Sequence, residues 1–158
     1  MTDKTPNIGV VGVGHLGRHH VKHLSNNNDA LLAGIYDVDY KRVQDIAAEF
    51  NCRVFNSLNN LLDECDALAI VTPTLSHAEV AEECIKARKH VFIEKPITKT
   101  VAEADHLLQL AKKNNVFILR TFSKIYGLAS LRVGWGYGSK KIIDALYKIK
   151  PPFNVNKI

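Results

Sequence analysis

Between residues 7 and 118, short apolar runs alternate with stretches whose apolar positions recur every three or four residues. The first run, Ile8 to Val11, leads into a helical spacing of Leu16, His20 and Leu24. The second, Leu31 to Tyr36, precedes Tyr40 to Phe50, where Val43, Ile46, Ala47 and Phe50 share one helix face. Arg53-Val54-Phe55 predicts a short third strand, after which Ser57 caps a brief helix through Leu61 and Leu62. Ala67 to Val71 is apolar throughout, as a strand covered on both faces should be. Ser76 and Glu79 form a capping box predicted to open a helix to Ala87. His90 to Ile93 is a fifth strand, stopped by Glu94-Lys95-Pro96. Thr100 and Glu103 form a second box, opening a helix through Leu107, Leu108 and Ala111, and Asn115 to Leu119 is a sixth strand. Strands joined by helix-length crossovers in this order predict an α/β fold: a Rossmann-like doubly wound, mainly parallel sheet of order 3-2-1-4-5-6.

The rest of the chain has a different pattern. Leu131, Val133, Trp135 and Tyr137 alternate with Arg132, Gly134, Gly136 and Gly138, a strand with one bulky and one nearly bare face. The roughly eleven residues from Arg120 to Ser130 are short for a helical crossover, so an added antiparallel edge strand beside the sixth is expected. Ser139 then caps a C-terminal helix carrying Ile142, Ile143 and Leu146, which Pro151-Pro152 stops. Charge changes at the same place: residues 1–118 sum to −2 and residues 119–158 to +7. Glycine is absent between Gly34 and Gly127 and then frequent, as if two sources had been joined.

At 158 residues the chain suits one domain with a real core, 1–158, its extension 119–158 packed on the sheet of residues 7–118. Hydrophobic residues at 46% and charged residues at 23% are those of a soluble globular protein. No apolar run approaches the ~18 residues of a membrane span, and Met1 to Pro6 carries no apolar signal core, so no membrane partner is expected. Cys52, Cys65 and Cys84 are an odd set without a C-x-x-C pair, which reads as thiols in a reducing cytoplasm.

The chemistry starts where the first strand ends. Gly12-Val13-Gly14-His15-Leu16-Gly17 is G-x-G-x-x-G between a strand and a helix. Gly12 would allow the tight turn, Gly14 the close approach of a pyrophosphate, and Gly17 the packing of helix on strand. The diphosphate would sit on free N–H groups at the helix start. Asp37, twenty residues after Gly17, ends the second strand and suits the two ribose hydroxyls of adenosine, while opposing a 2′-phosphate. NAD is therefore expected ahead of NADP, with Lys41 and Arg42 either softening the preference or forming a solvated helix face. The plain alternative is a glycine turn in an α/β fold without a cofactor. His15, His19 and His23 share a helix face, but no cysteine or carboxylate completes a ligand set, so no metal is expected. The basic, aromatic tail does not lead us to expect nucleic acid, because its glycines and aromatics have another source.

Residues 7 to 118 resemble the N-terminal domain of the Gfo/Idh/MocA oxidoreductases. The marks are the glycine turn, Thr72-Pro73-Thr74-Leu75-Ser76-His77 after the fourth strand, and Glu94-Lys95-Pro96 after the fifth. The resemblance implies that Gly12, Gly14, His15 and Leu16 cradle the pyrophosphate and that Asp37 holds the adenine ribose. It further implies that Thr72, Pro73, Thr74 and His77 line the nicotinamide side, with Glu94 and Lys95 at its ribose and at a sugar-like substrate. Lys95 would be the catalytic residue of an incomplete site, easing alkoxide charge during hydride transfer, and Lys95-Pro96 would be cis. The family carries its acid/base and substrate pocket in a further α/β domain, so little or no turnover is expected of these residues.

The run from Asn115 to Gly138, with Ile149-Lys150-Pro151-Pro152-Phe153-Asn154-Val155-Asn156, resembles fold-type I aminotransferases, nearest histidinol-phosphate aminotransferase. That implies Lys124 as a Schiff-base lysine and Ser123 and Arg132 as phosphate holders. Pyridoxal phosphate is not expected to bind, because the pyridine-nitrogen carboxylate and the ring platform lie in segments not present. The two resemblances together read as a chimera. Three functions stay open: a dinucleotide-binding domain with little turnover, a small dehydrogenase completed by an oligomer partner, or a recombined fold with no ligand. The substrate and oligomeric state are not legible.

Overall fold

A computed structural model describes residues 5–114, 118–121, 134–138 and 140–149. Its core is a parallel sheet of β1 (Asn7–Val11), β2 (Leu31–Tyr36), β3 (Ala67–Ile70) and β4 (His90–Ile93), in the order β2-β1-β3-β4. Helices α1 (His15–Ser25) and α2 (Tyr40–Phe50) follow β1 and β2. Helix α3 (Leu58–Glu64) precedes β3, α4 (Thr74–Lys86) joins β3 to β4, and α5 (Val101–Asn114) follows β4. The order reverses between β1 and β3, the switch point at which a doubly wound sheet binds its ligand.

Period-two alternation divides the apolar runs between two cores. Val10 and Ala69 face α1 and α2, packing with Val21, Ile35, Val43 and Ile46. Val11, Leu68, Ile70, Val91 and Ile93 face the other way, packing with Leu61, Ile85 and Leu107. Burial pushes the Cys84 thiol up to about 12 and the Cys65 thiol up to about 11, so both act as small core hydrophobes rather than nucleophiles. No helix among the described residues is long and apolar enough to cross a membrane.

Three expectations need correcting. The third strand shrinks to a single parallel bridge, Ile35 to Val54. Ile35 donates to the Arg53 carbonyl and Phe55 to that of Ile35, both at 2.9 Å, and the chain then turns into the Ser57-capped α3, leaving no length for a ladder. The box at Ser76 does not open α4, which starts three residues earlier with Pro73 as its N-cap. Proline's fixed φ suits a helix start, and the Ser76 hydroxyl donates back to the Pro73 carbonyl at 2.9 Å. The sixth strand, β5 (Ile118–Thr121), lies beside β4 but, among the described residues, spends its ladder bonds on β6 (Gly134–Tyr137). That pairing is antiparallel, with Leu119 opposite Gly136 and Arg120 opposite Trp135, and the pair forms a second, two-stranded sheet. Helix α6 (Lys140–Ile149) occupies the expected C-terminal span.

Other local signals hold as read. Asn60 donates to the Ser57 hydroxyl at 3.2 Å. At α5, Thr100 N–H donates to Glu103 Oε2 at 2.9 Å and Glu103 N–H to Thr100 Oγ1 at 3.2 Å, a complete reciprocal cap.

Candidate functional site

The carboxyl ends of β1 to β4 meet along one rim. At the end of β1, Gly12 has φ +87°, a left-handed conformation that favours glycine, and its N–H donates to the Tyr36 carbonyl at 2.8 Å. A Cβ there would stand 2.7 Å from Thr72 N, so the turn is also wedged against the end of β3. A Cβ on Gly17 would lie 2.0 Å from the Gly12 carbonyl oxygen, because α1 rests directly on the turn. Gly14 differs: a Cβ there would meet nothing within 4 Å. Gly14 is the N-cap of α1, which has no side-chain cap and no acidic residue in its first turn. The side of Gly14 that a side chain would fill is therefore open, beside an uncapped helix start that carries the positive end of the helix dipole, an arrangement suited to a diphosphate.

Asp37, its side chain 8% exposed, is built into this turn. Oδ2 accepts from Val13 N–H at 2.8 Å and Oδ1 from Asp39 N–H at 2.9 Å, which fixes the carboxylate plane beside the glycine loop. Arg42 Nη1 lies 3.7 Å from the same Oδ2. A cavity of about 460 Å³ opens beside it, lined by Tyr36, Val38, Tyr40, Phe55 and Asn56 as well as Asp37.

Across the rim, Thr72 Oγ1 is buried without a hydrogen-bond partner, the one such side-chain atom among the described residues. A buried hydroxyl left so costs about 1–3 kcal/mol unless a ligand or water meets it. Pro73 is exposed and Thr74 half-buried. His77 is fully buried, and each ring nitrogen faces a backbone carbonyl, the tautomer deciding which one receives the N–H: Nδ1 lies 2.8 Å from Pro96 O and Nε2 2.7 Å from Thr72 O. It thus links the loop after β3 to the loop after β4, where Lys95-Pro96 is cis.

Glu94 continues the β4 ladder, its N–H donating to Ile70 O at 2.9 Å. Its Oε1 lies 3.0 Å from His20 Nε2, while Oε2 accepts from Lys95 N–H at 3.0 Å and from Lys95 Nζ at 3.2 Å. Burial raises the pKa of this carboxyl, but the His20 and Lys95 bonds outweigh burial and hold it below the usual carboxylate range. A depressed folded pKa gives stability that is complete above the ordinary glutamate range and is lost as pH falls through the folded value. His20→Ala should raise the Glu94 pKa toward its ordinary value in an NMR pH titration. An unmoved titration would leave Lys95 alone responsible.

His20 is a member of this cluster that the sequence reading did not name as a site residue. The signal was a polar side chain on the helix stripe of Leu16 and Leu24, half-buried here with its ring 5.4 Å from that of Phe92. Of the other candidates, His15 and Leu16 are exposed in the first turn of α1, with the His15 and His19 rings 5.2 Å apart. Among the described residues no cluster of three or more His, Cys, Asp or Glu could hold a metal ion. Ser123, Lys124 and Arg132 lie outside the described residues.

This arrangement of glycine turn, bare helix start and fixed acid defines a dinucleotide-binding doubly wound domain, and its residues fit a bound dinucleotide. Residues 6–122 match a family profile described as "Oxidoreductase family, NAD-binding Rossmann fold", and the chain belongs to that Gfo/Idh/MocA family. The chain is 38% identical over 138 residues to UDP-N-acetylglucosamine 3-dehydrogenase of Acidithiobacillus ferrooxidans, covering 87% of this chain and 44% of that protein. A solved structure of that enzyme superposes with TM-score 0.71 at 40% identity, over 80% of this chain and 42% of the other. GenD2 from gentamicin A biosynthesis, solved in complex with NAD, matches with TM-score 0.69 at 27% identity, over 73% of this chain and 34% of its own. The chain spans less than half the length of these relatives. Separately, it is 72% identical over 46 residues to histidinol-phosphate aminotransferase of Pelagibacter ubique, 29% of this chain and 13% of that enzyme.

Proposed function

We propose that this chain binds NAD(H) along the rim of its parallel sheet, with the nicotinamide end toward Lys95 and a sugar-like molecule as the second ligand. The observation that carries the reading is Gly14. Its missing side chain leaves open space in front of the α1 N-terminus and relieves no contact within the protein. Gly12, His15 and Leu16 line the same turn for the pyrophosphate, and Asp37 accepts from the adenine ribose hydroxyls with its second lone pairs. Thr72 Oγ1 finds its missing partner in the ligand, Pro73 and Thr74 border it, and His77 acts through the two loops that it joins. The bound nicotinamide supplies a hydride acceptor or donor. Glu94 orients Lys95, whose ammonium stabilises negative charge developing on a sugar hydroxyl oxygen.

The sugar class follows from the relatives, one of them a UDP-N-acetylglucosamine dehydrogenase. Sustained turnover also needs a proton acceptor beside the reacting carbon and a closed site. Glu94, Lys95 and His20 are engaged with one another, so this chain binds without appreciable turnover. The residues beyond about 118 are an aminotransferase-derived segment joined to the oxidoreductase domain, a chimera, with no cofactor of its own. The test is a fluorescence titration with NADH, followed by incubation with NAD and sugar nucleotides. Saturable NADH binding without NADH production is expected. Production from any sugar, lost in Lys95→Ala, would show a complete active site instead.

A further inference from the structure

We propose that Asp39 is a latch on cofactor choice, occupying the Arg42 guanidinium beside Asp37 so that it is not free to meet a ribose 2′-phosphate there. The inference rests on the dinucleotide reading of the rim. Arg42 stands in the first turn of α2, with Nη2 3.0 Å from Asp39 Oδ2 and Nη1 3.7 Å from Asp37 Oδ2. An arginine near the acid at the end of the second strand is what accommodates the extra phosphate of NADP, and its planar fork matches phosphate oxygens. Here the fork is engaged by two carboxylates, which together outweigh its single positive charge.

Asp39 is well placed for this because three of its groups are fixed, the first being its carbonyl, which accepts from Val43 N–H at 3.0 Å. Its N–H donates to Asp37 Oδ1 at 2.9 Å, and its Oδ1 caps α2 by accepting from Arg42 N–H at 3.0 Å. Only Oδ2 is left, and it meets the guanidinium. Asp37 borders a cavity of about 460 Å³, so one side of it is not filled by other side chains. The obstacle to a 2′-phosphate is charge, divided between Asp37, which faces the ribose, and Asp39, which withholds the compensating cation. Asp37 is therefore not the sole determinant of NAD over NADP.

Asp39→Asn separates the roles, because asparagine caps a helix as well as aspartate and carries no charge. The full chain, its D39N variant and the D39N/R42Q double variant are titrated with NADH and with NADPH by fluorescence at one low salt concentration, with a melting curve for each. D39N should shift the affinity ratio toward NADPH by about tenfold, and R42Q in that background should remove the shift. If D39N does not fold, Asp39→Ser, which keeps a capping oxygen, carries the same measurement. An unchanged ratio in a variant that still binds NADH would overturn the latch. So would R42Q weakening both cofactors equally, the mark of a guanidinium that holds the adenine. Failure of the wild-type chain to bind NADH would instead remove the dinucleotide reading, and this inference with it.

Discussion

Gly14→Val should weaken NADH binding on the order of a hundredfold, a loss of about 3 kcal/mol, while the protein remains folded. The valine would fill the open space in front of α1, where the pyrophosphate has to approach the backbone. Gly14 has φ −63°, which any residue adopts, so no backbone strain is added. Valine is a poorer N-cap than glycine, and the helix start loses about 1 kcal/mol. A fluorescence titration beside a thermal melt separates the two effects. Identical NADH curves for the variant and the wild type would refute the assignment of the phosphate turn.

Gly17→Ala should do the reverse and act on folding. Its new methyl would stand 2.0 Å from the Gly12 carbonyl oxygen, a backbone atom with no flexible end to yield. Relief requires α1 to lift off the turn, pulling Val21 out of the core that it shares with Val10 and Ala69. We expect a loss of at least ~3 kcal/mol, at the upper end of overpacking costs, measured as a lower midpoint in urea. A variant with wild-type midpoint would mean that α1 does not rest on the glycine turn. Two glycines of one motif, three residues apart, thus divide between binding and folding.

The motif itself was legible because each glycine leaves a distinct gap in an otherwise apolar strand-to-helix passage. Asp37 was legible by position, as the acid ending the second apolar run. Its bond to Val13 N–H was not, since no periodicity reports which backbone amide a carboxylate faces. Similar sequence signals also had different outcomes. Thr100 and Glu103 make their reciprocal cap, whereas Ser76 and Glu79 fit the same pattern inside a helix that Pro73 had already begun. The Arg53-Val54-Phe55 run has strand composition, but a strand also needs length, and the turn at Asn56 and Ser57 removes it. His20 eluded the reading because its partner, Glu94, is 74 residues away in sequence. The antiparallel tail pair was foreseen from two signals, the alternation along residues 131–138 that marks the strand and the short connection that sets its direction.

The His77 ring makes the two loops of the rim one mechanical body. Its nitrogens span from Thr72 O to Pro96 O, so opening either loop strips packing and a facing carbonyl from a fully buried ring. Local fluctuations that would free one loop are therefore penalised by the other, and the amides of both should exchange with solvent as a single cooperative unit. A molecule gripping the loop after β4 then stiffens the loop after β3 without touching it, so two ligands on opposite sides of the rim would sense each other through an imidazole that neither of them contacts.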